Sequence, residues 1–238
     1  MDDERVATGV DGLDERIGGG VPRGHVVLLS GLPGTMKSSL AYSILHRNAK
    51  EVGPTGLYVT LEQTKASLVR QMEGMGFKFP DTRVSIVDGA TLRKEFGRDA
   101  AKVWREFPRR MIQRRQHLQD VQLLVLDSLE ALEVLARFDR PREDLFDLFE
   151  WLRGLGLTSF VLTEAPPESF LFPTDAPQRL EASYLADGVI HLKMHQVSDV
   201  AIQRRLRVVK MRGTAHETGY LALVFEDGRF GVTPALSV

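Results

Sequence analysis

Apolar residues along this chain follow two alternating patterns: short unbroken runs, and stretches where they return every three or four positions. The first run, His25 to Leu29, closes on Ser30 and Gly31. Its continuous apolarity suits a strand buried on both faces of a parallel sheet. Leu40, Ala41, Ile44, Leu45, Ala49 and Val52 then fall mostly at helical spacing on one face, and Gly53-Pro54 ends that helix. A strand from Gly56 to Leu61 follows. After it come a helix carrying Ala66, Leu68, Val69, Met72 and Met75, ending near Gly76, and a short strand from Val84 to Val87. The stretch from about Leu92 to Leu118 reads as helical, interrupted at Pro108. Gln122 to Asp127 is a strongly apolar strand ending on a carboxylate, Arg142 to Leu155 a helix, and Ser159 to Thr163 another strand. Such alternation predicts βαβ units and a mostly parallel sheet. After Asp187 the pattern changes. Gly188 to His195, Arg204 to Met211, Tyr220 to Phe225 and Phe230 to Thr233 read as strands with few helices between them, and Asp227-Gly228 is a hairpin signal. The expected fold class is α/β: a mostly parallel central sheet flanked by helices, with antiparallel strands toward the C-terminus.

Composition narrows the picture. At 238 residues and 43% hydrophobic, with no internal repeat and no low-complexity linker, the chain reads as one domain spanning residues 1–238. A formal net charge of -1 gives no global basic surface for nucleic acid. The absence of cysteine removes disulfides, thiolate metal sites and cysteine nucleophiles together, and fits a reducing cytoplasm. The polar, acidic start Met1-Asp2-Asp3-Glu4-Arg5 lacks the features of a signal peptide, and no run approaches the ~18 apolar residues of a membrane span. A cytoplasmic protein without a membrane anchor is therefore expected.

The candidate chemistry lies between the first strand and the first helix. Gly31-Leu32-Pro33-Gly34-Thr35-Met36-Lys37-Ser38, with Ser39 following, has the spacing of a phosphate-binding loop. Glycines let the backbone turn its N–H groups toward phosphate oxygens, and the helix N-terminus adds a favourable dipole. Lys37 would bridge the β- and γ-phosphates of ATP, and Ser38 would ligate Mg²⁺. One position departs from the pattern: Met36 stands where glycine usually precedes the lysine, and a positive φ there would cost roughly 1 kcal/mol. Asp127, ending its strand, can hold a Mg²⁺-bound water beside the loop. Glu62, after the second strand, can orient the water that attacks the γ-phosphate. Thr163 admits two readings, a γ-phosphate sensor or a plain helix cap.

Several segments then agree in order with one family. Thr8 to Asp14, Gly18 to Gly24, the loop, Glu62, Leu126-Asp127-Ser128, Tyr184 to Ile190 and Lys210-Met211-Arg212-Gly213-Thr214-Ala215-His216 resemble the KaiC-like and RadA-like ATPases. The resemblance covers nearly the whole chain. It implies a RecA-like fold, ATP and Mg²⁺ as ligands, and a homo-oligomer, often a hexameric ring, with nucleotide between subunits. In that family two adjacent acidic residues polarise the attacking water. Glu62 matches the first, and Gln63 replaces the second. Lys210 and Arg212 match residues that reach the neighbouring subunit's γ-phosphate. Strand alternation puts these two on one face, where an anion would ease their repulsion. The chain holds one ATPase domain where the family's clock members carry two in tandem.

The segment 93–117 concentrates nine Lys or Arg against three acidic residues, with Trp104, Phe107, Met111 and Leu118 as an apolar stripe. It is the candidate surface for a protein partner or DNA. Three functions therefore compete: an oligomeric regulatory ATPase, an ATP-gated binding module with little hydrolysis, and a recombination accessory protein that binds single-stranded DNA. A dinucleotide-dependent oxidoreductase is excluded, because Gly18-Gly19-Gly20 precedes the first strand and no G-x-G-x-x-G follows it.

Overall fold

A computed structural model of the chain describes residues 4–50, 55–77, 83–96, 121–164 and 177–235. Its centre is strand β3 (Val26–Ser30), every residue of which is buried. Two short N-terminal strands precede it, β1 (Arg5–Val6) and β2 (Val21–Pro22), paired antiparallel. After β3 come helix α1 (Lys37–Lys50), β4 (Thr55–Thr60), α2 (Lys65–Gly74), β5 (Val84–Asp88), α3 (Gly89–Phe96) and β6 (Val121–Asp127). Then follow α4 (Leu129–Ala136), α5 (Pro141–Gly154), β7 (Thr158–Thr163) and α6 (Pro177–Leu185). The last strands are β8 (Gly188–Ser198), β9 (Ala201–Met211), β10 (Leu221–Glu226) and β11 (Arg229–Pro234).

Nine strands form one sheet in the order β11-β10-β9-β8-β3-β7-β6-β4-β5. The six strands from β8 to β5 are mutually parallel, and β8 through β11 are successively antiparallel. This is the mixed sheet that the two patterns predict. Helices cover both faces, which explains the unbroken apolar runs. Val27, Leu29, Leu123, Val125, Phe160 and Leu162 share a core with α1 and α2. Their strand neighbours Val26, Leu28, Leu124, Leu126 and Val161 pack with α4, α5 and Ala182 of α6. The Asp227-Gly228 signal is met by positive φ at both residues (48° and 74°), as a two-residue turn between β10 and β11 requires.

Differences from expectation are local. α4 and α6 occupy stretches where the apolar pattern assigns no helix. Ser128 caps α4 by accepting the Ala131 N–H, and Leu129, Leu132 and Ala136 bury one face. The helix expected over 92–118 is described only as far as Phe96. The remainder of that stretch, and the basic segment beyond residue 96, lie outside the described residues.

The parallel strands share one property that creates the site. The C-terminal ends of β3 to β7 turn polar together, level with His191 of the longer β8. Ser30 pairs with Thr163 on one side and His191 on the other, while Thr60 lies between Asp88 and Asp127. An apolar sheet thus finishes in a polar rim, the location where open α/β sheets take ligands.

Candidate phosphate-binding site

The loop leaves β3 at this rim, next to the point where the chain continues to both sides of β3. Gly31 lies at φ 153° and donates its N–H to the Thr163 carbonyl at 3.2 Å. A Cβ there would fall 2.3 Å from the Leu192 carbonyl oxygen, so strand β8 leaves no room for a side chain. Gly34 has φ 83° and Met36 φ 72°. Met36 therefore does adopt the left-handed backbone that the glycine-containing pattern provides for, while its half-buried side chain packs on the core beside α1. The Met36 carbonyl accepts the Leu40 N–H at 2.9 Å and so opens α1. The helix N-terminus and the loop thus face one concavity.

Lys37 folds back over the loop, donating to the carbonyls of Gly31 (2.6 Å) and Leu32 (3.2 Å). Burial lowers its pKa, and the carboxylates of Glu164, Asp127, Glu130 and Glu62 act in the opposite direction. The Ser38 hydroxyl lies near the Asp127 carboxylate and favours its ionised form. Asp127 accepts from the fully buried Tyr58 hydroxyl at 2.6 Å. Burial raises the Asp127 pKa, only partly offset by the Tyr58 bond and the nearby Ser38 hydroxyl. Ser38 and Asp127 thus offer a hydroxyl and a carboxylate side by side, hard oxygen donors of the kind Mg²⁺ takes. Among the described residues no group of three acidic or histidine side chains is arranged to hold a metal by itself. Phosphate oxygens and water would have to complete its shell. Ser39 differs from its neighbours: its hydroxyl points at Met75 Sδ (3.2 Å), leaving only its backbone N–H for the loop side.

Glu62 is exposed beside the rim, and its Oε1 accepts a hydrogen bond from the Ser128 hydroxyl. Gln63 turns away to Gln71 at 3.4 Å. Thr163 donates its hydroxyl to Glu130 Oε1 at 2.7 Å, and the Glu164 N–H reaches the same oxygen at 2.8 Å. Glu130 was not among the expected site residues. The signal for it lay in the Ser-Leu-Glu start of α4, directly after Asp127. His191 was also missed: its Nδ1 lies 2.8 Å from Ser30 Oγ, the residue before the loop. Burial, then the charges of Lys193, Arg207 and Lys37, lower its pKa to about 4.

Lys210 and Arg212 are not brought to the loop of their own chain. Lys210 pairs with Val189 and Met211 with Gly188, which is itself level with Val27 near the start of β3. The loop departs from the other end of β3, roughly 10 Å further along the strands. Lys210 instead donates to the carbonyls of Ser183 (3.1 Å), Tyr184 (3.1 Å) and Ala186 (2.6 Å) at the end of α6. Arg212 binds Asp187 at 2.8 Å and the Tyr184 carbonyl at 3.2 Å. Burial favours protonation of Asp187. The Val26 N–H and the guanidinium groups of Arg153 and Arg212 outweigh it and hold the carboxyl below its ordinary range.

One glycine-bearing loop opening a helix at the C-terminal rim of a parallel sheet, with a strand-end aspartate beside the loop serine, defines a RecA-type phosphate-loop protein. Comparison with known proteins agrees. The family model for the KaiC ATPase matches residues 6–236. A UPF0273 protein of Methanopyrus kandleri is 30% identical over 226 residues, covering 90% of this chain and 85% of that one. The circadian clock protein KaiC2 of Synechocystis is 26% identical over 97% of this chain, which spans 40% of its length. The crystal structure of a KaiC-like protein from Pyrococcus horikoshii superposes with a TM-score of 0.78 at 28% identity, covering 97% of this chain and 99% of that one. The chain belongs to the KaiC ATPase family.

Proposed function

We propose that this protein is a Mg²⁺-dependent ATP hydrolase whose complete active site is shared between subunits of a homo-oligomer, its nucleotide state controlling assembly and partner binding. The observation that carries the reading is the division of charge across the sheet. The loop, Lys37, Ser38, Asp127 and Glu62 gather at one end, while Lys210 and Arg212 stand at the other end and cannot serve the same loop. The loop N–H groups and the α1 N-terminus would hold the phosphates. Lys37 would exchange its bonds to the Gly31 and Leu32 carbonyls for phosphate oxygens. Ser38 and Asp127 would hold Mg²⁺, which when bound supplies charge neutralisation of the phosphates. Glu62, oriented by Ser128, would accept the proton of the attacking water. Lys210 and Arg212 of an adjoining subunit would stabilise charge on the transferred phosphoryl group. The family match supports nucleotide binding. A hexameric ring is the assembly this scheme favours. The whole chain would work as one domain in the cytoplasm, in keeping with its lack of cysteine. No helix among the described residues is long and apolar enough to cross a membrane.

A second reading, an ATP-gated binding module with little turnover, has its own support. Glu62 is committed to Ser128, and Gln63 supplies no second carboxylate. ATP hydrolysis per subunit, measured as protein concentration rises, separates the two. For a shared site specific activity climbs and levels, and Arg212→Ala stays at the dilute value. Absence of hydrolysis at every concentration, with ATP still raising the melting temperature, would reject the hydrolase reading in favour of the binding module.

A further inference from the structure

Glu130 is a carboxylate close enough to act on Lys37 that this scheme does not use. Glu130 Oε1 takes two donors, the Thr163 hydroxyl and the Glu164 N–H. Its Oε2 is buried and has no hydrogen-bond partner among the described residues. An ionised carboxylate has about four acceptor positions, and a buried one left unfilled is costly. Lys37 feels the charge of Glu130, but its ammonium group is directed to the Gly31 and Leu32 carbonyls.

The direction of the Thr163 bond carries the argument further. A hydroxyl has one hydrogen, and Thr163 spends it on Glu130. What Thr163 can still present is lone pairs. A sensor that binds a phosphate oxygen has to donate, so in this arrangement Thr163 does not sense phosphate by donation. Around the ends of β6 and β7, the groups left with lone pairs to fill are thus acceptors: the Asp127 carboxylate, the buried Glu130 Oε2 and Thr163 Oγ1. Such a wall repels phosphate oxygens and takes hydrogen bonds from water. Water polarised by a divalent cation is the donor that fits it best, because its protons carry extra positive charge.

We infer that Glu130, with Thr163, is a positioning residue. It accepts from the water shell of the divalent cation that accompanies the nucleotide, and thereby makes the site prefer metal-bound over metal-free nucleotide. The inference rests on the reading of this loop as an ATP site. Neither the loop pattern nor the strand-end aspartate assigns Glu130 this role. Metal-free ATP carries two more negative charges than its Mg²⁺ complex, so a nearby carboxylate penalises it more.

The test is titration of the full chain with a fluorescent ATP analogue carrying a methylanthraniloyl group, once with Mg²⁺ and once with EDTA. Its readout is the ratio of the two dissociation constants. Glu130→Gln keeps an acceptor for Thr163 and Glu164 but removes the charge. The expected result is a fall in the ratio by about tenfold, mostly through tighter metal-free binding. Thr163→Val keeps the charge and removes the hydroxyl. It should lower the ratio severalfold through weaker Mg²⁺-nucleotide binding alone, and it serves as the test if Glu130→Gln does not fold. A purely structural role would shift both constants together and leave the ratio unchanged. An unchanged ratio in these variants, beside a wild type that shows metal preference, overturns the inference and leaves the ATP reading standing. A wild type that binds the analogue under neither condition overturns both.

Discussion

Met36 holds a left-handed backbone, φ 72°, one residue before the loop lysine. For an L-residue that conformation costs about 1–2 kcal/mol relative to glycine. The side chain offsets part of this. It is half-buried against the core around α1, and full burial of a methionine contributes about 1.5–3 kcal/mol, so partial burial contributes about 1 kcal/mol. Two substitutions separate the terms. Met36→Ala keeps the Cβ, hence the strain, and loses the burial. Met36→Gly loses the burial, relieves the strain, and gives back roughly 0.5–1 kcal/mol through a more disordered unfolded chain. Both variants should be less stable than the parent, with glycine above alanine by about 1 kcal/mol. For a chain of this size that gap is about 2–4 °C in melting temperature. Ordinary helical positions give the opposite order, so the sign alone decides. Thermal or urea unfolding of the nucleotide-free proteins provides the measurement. An alanine variant as stable as the glycine variant, or more so, would refute a left-handed Met36 and the reasoning built on it.

Two further expectations follow from the buried polar groups. Tyr58→Phe leaves the buried Asp127 Oδ2 without its 2.6 Å donor and should cost about 1–3 kcal/mol of unfolding free energy; a loss below about 0.5 kcal/mol would show that water replaces the hydroxyl. His191 has a native pKa of about 4 against an ordinary 6.5, so below pH 6.5 the unfolded chain binds a proton that the native chain refuses. Stability should therefore fall as pH drops from 6.5 toward 4, by at most about 1.4 kcal/mol per pH unit from this group. Urea unfolding across that range should show a shallower slope for His191→Asn, and identical slopes would exclude a neutral buried His191.

The strands of the parallel half were legible because each is covered on both faces, and such burial leaves an unbroken apolar run that nothing else in the chain imitates. The loop was legible for a different reason: its chemistry is local, fitted into eight consecutive residues. Strand order was not legible. Val27 and Leu29 announce that both faces are covered, but nothing in them names β7 and β8 as neighbours. Glu130 was hidden for the same reason. As a residue it is one acid in a short amphipathic helix, and only the pairing of β6 with β7 sets it against Thr163. Neither reading of Thr163, sensor or cap, contains that contact, in which its hydroxyl is directed to Glu130. Lys210 and Arg212 were placed on one face by strand alternation. That they would bind the end of α6 and Asp187 depends on residues more than twenty positions away.

The position of Lys210 and Arg212 at the end of the sheet opposite the loop has a geometrical consequence for any assembly that uses both. Two different surfaces would then meet at each joint, head to tail, and a two-fold dimer could not complete both of its sites. An open row of subunits would always carry one unfinished site at its leading end and one unused pair of cations at its trailing end. Only closure of the row on itself removes both, so the step that completes the last site would also be the step that fixes the number of subunits.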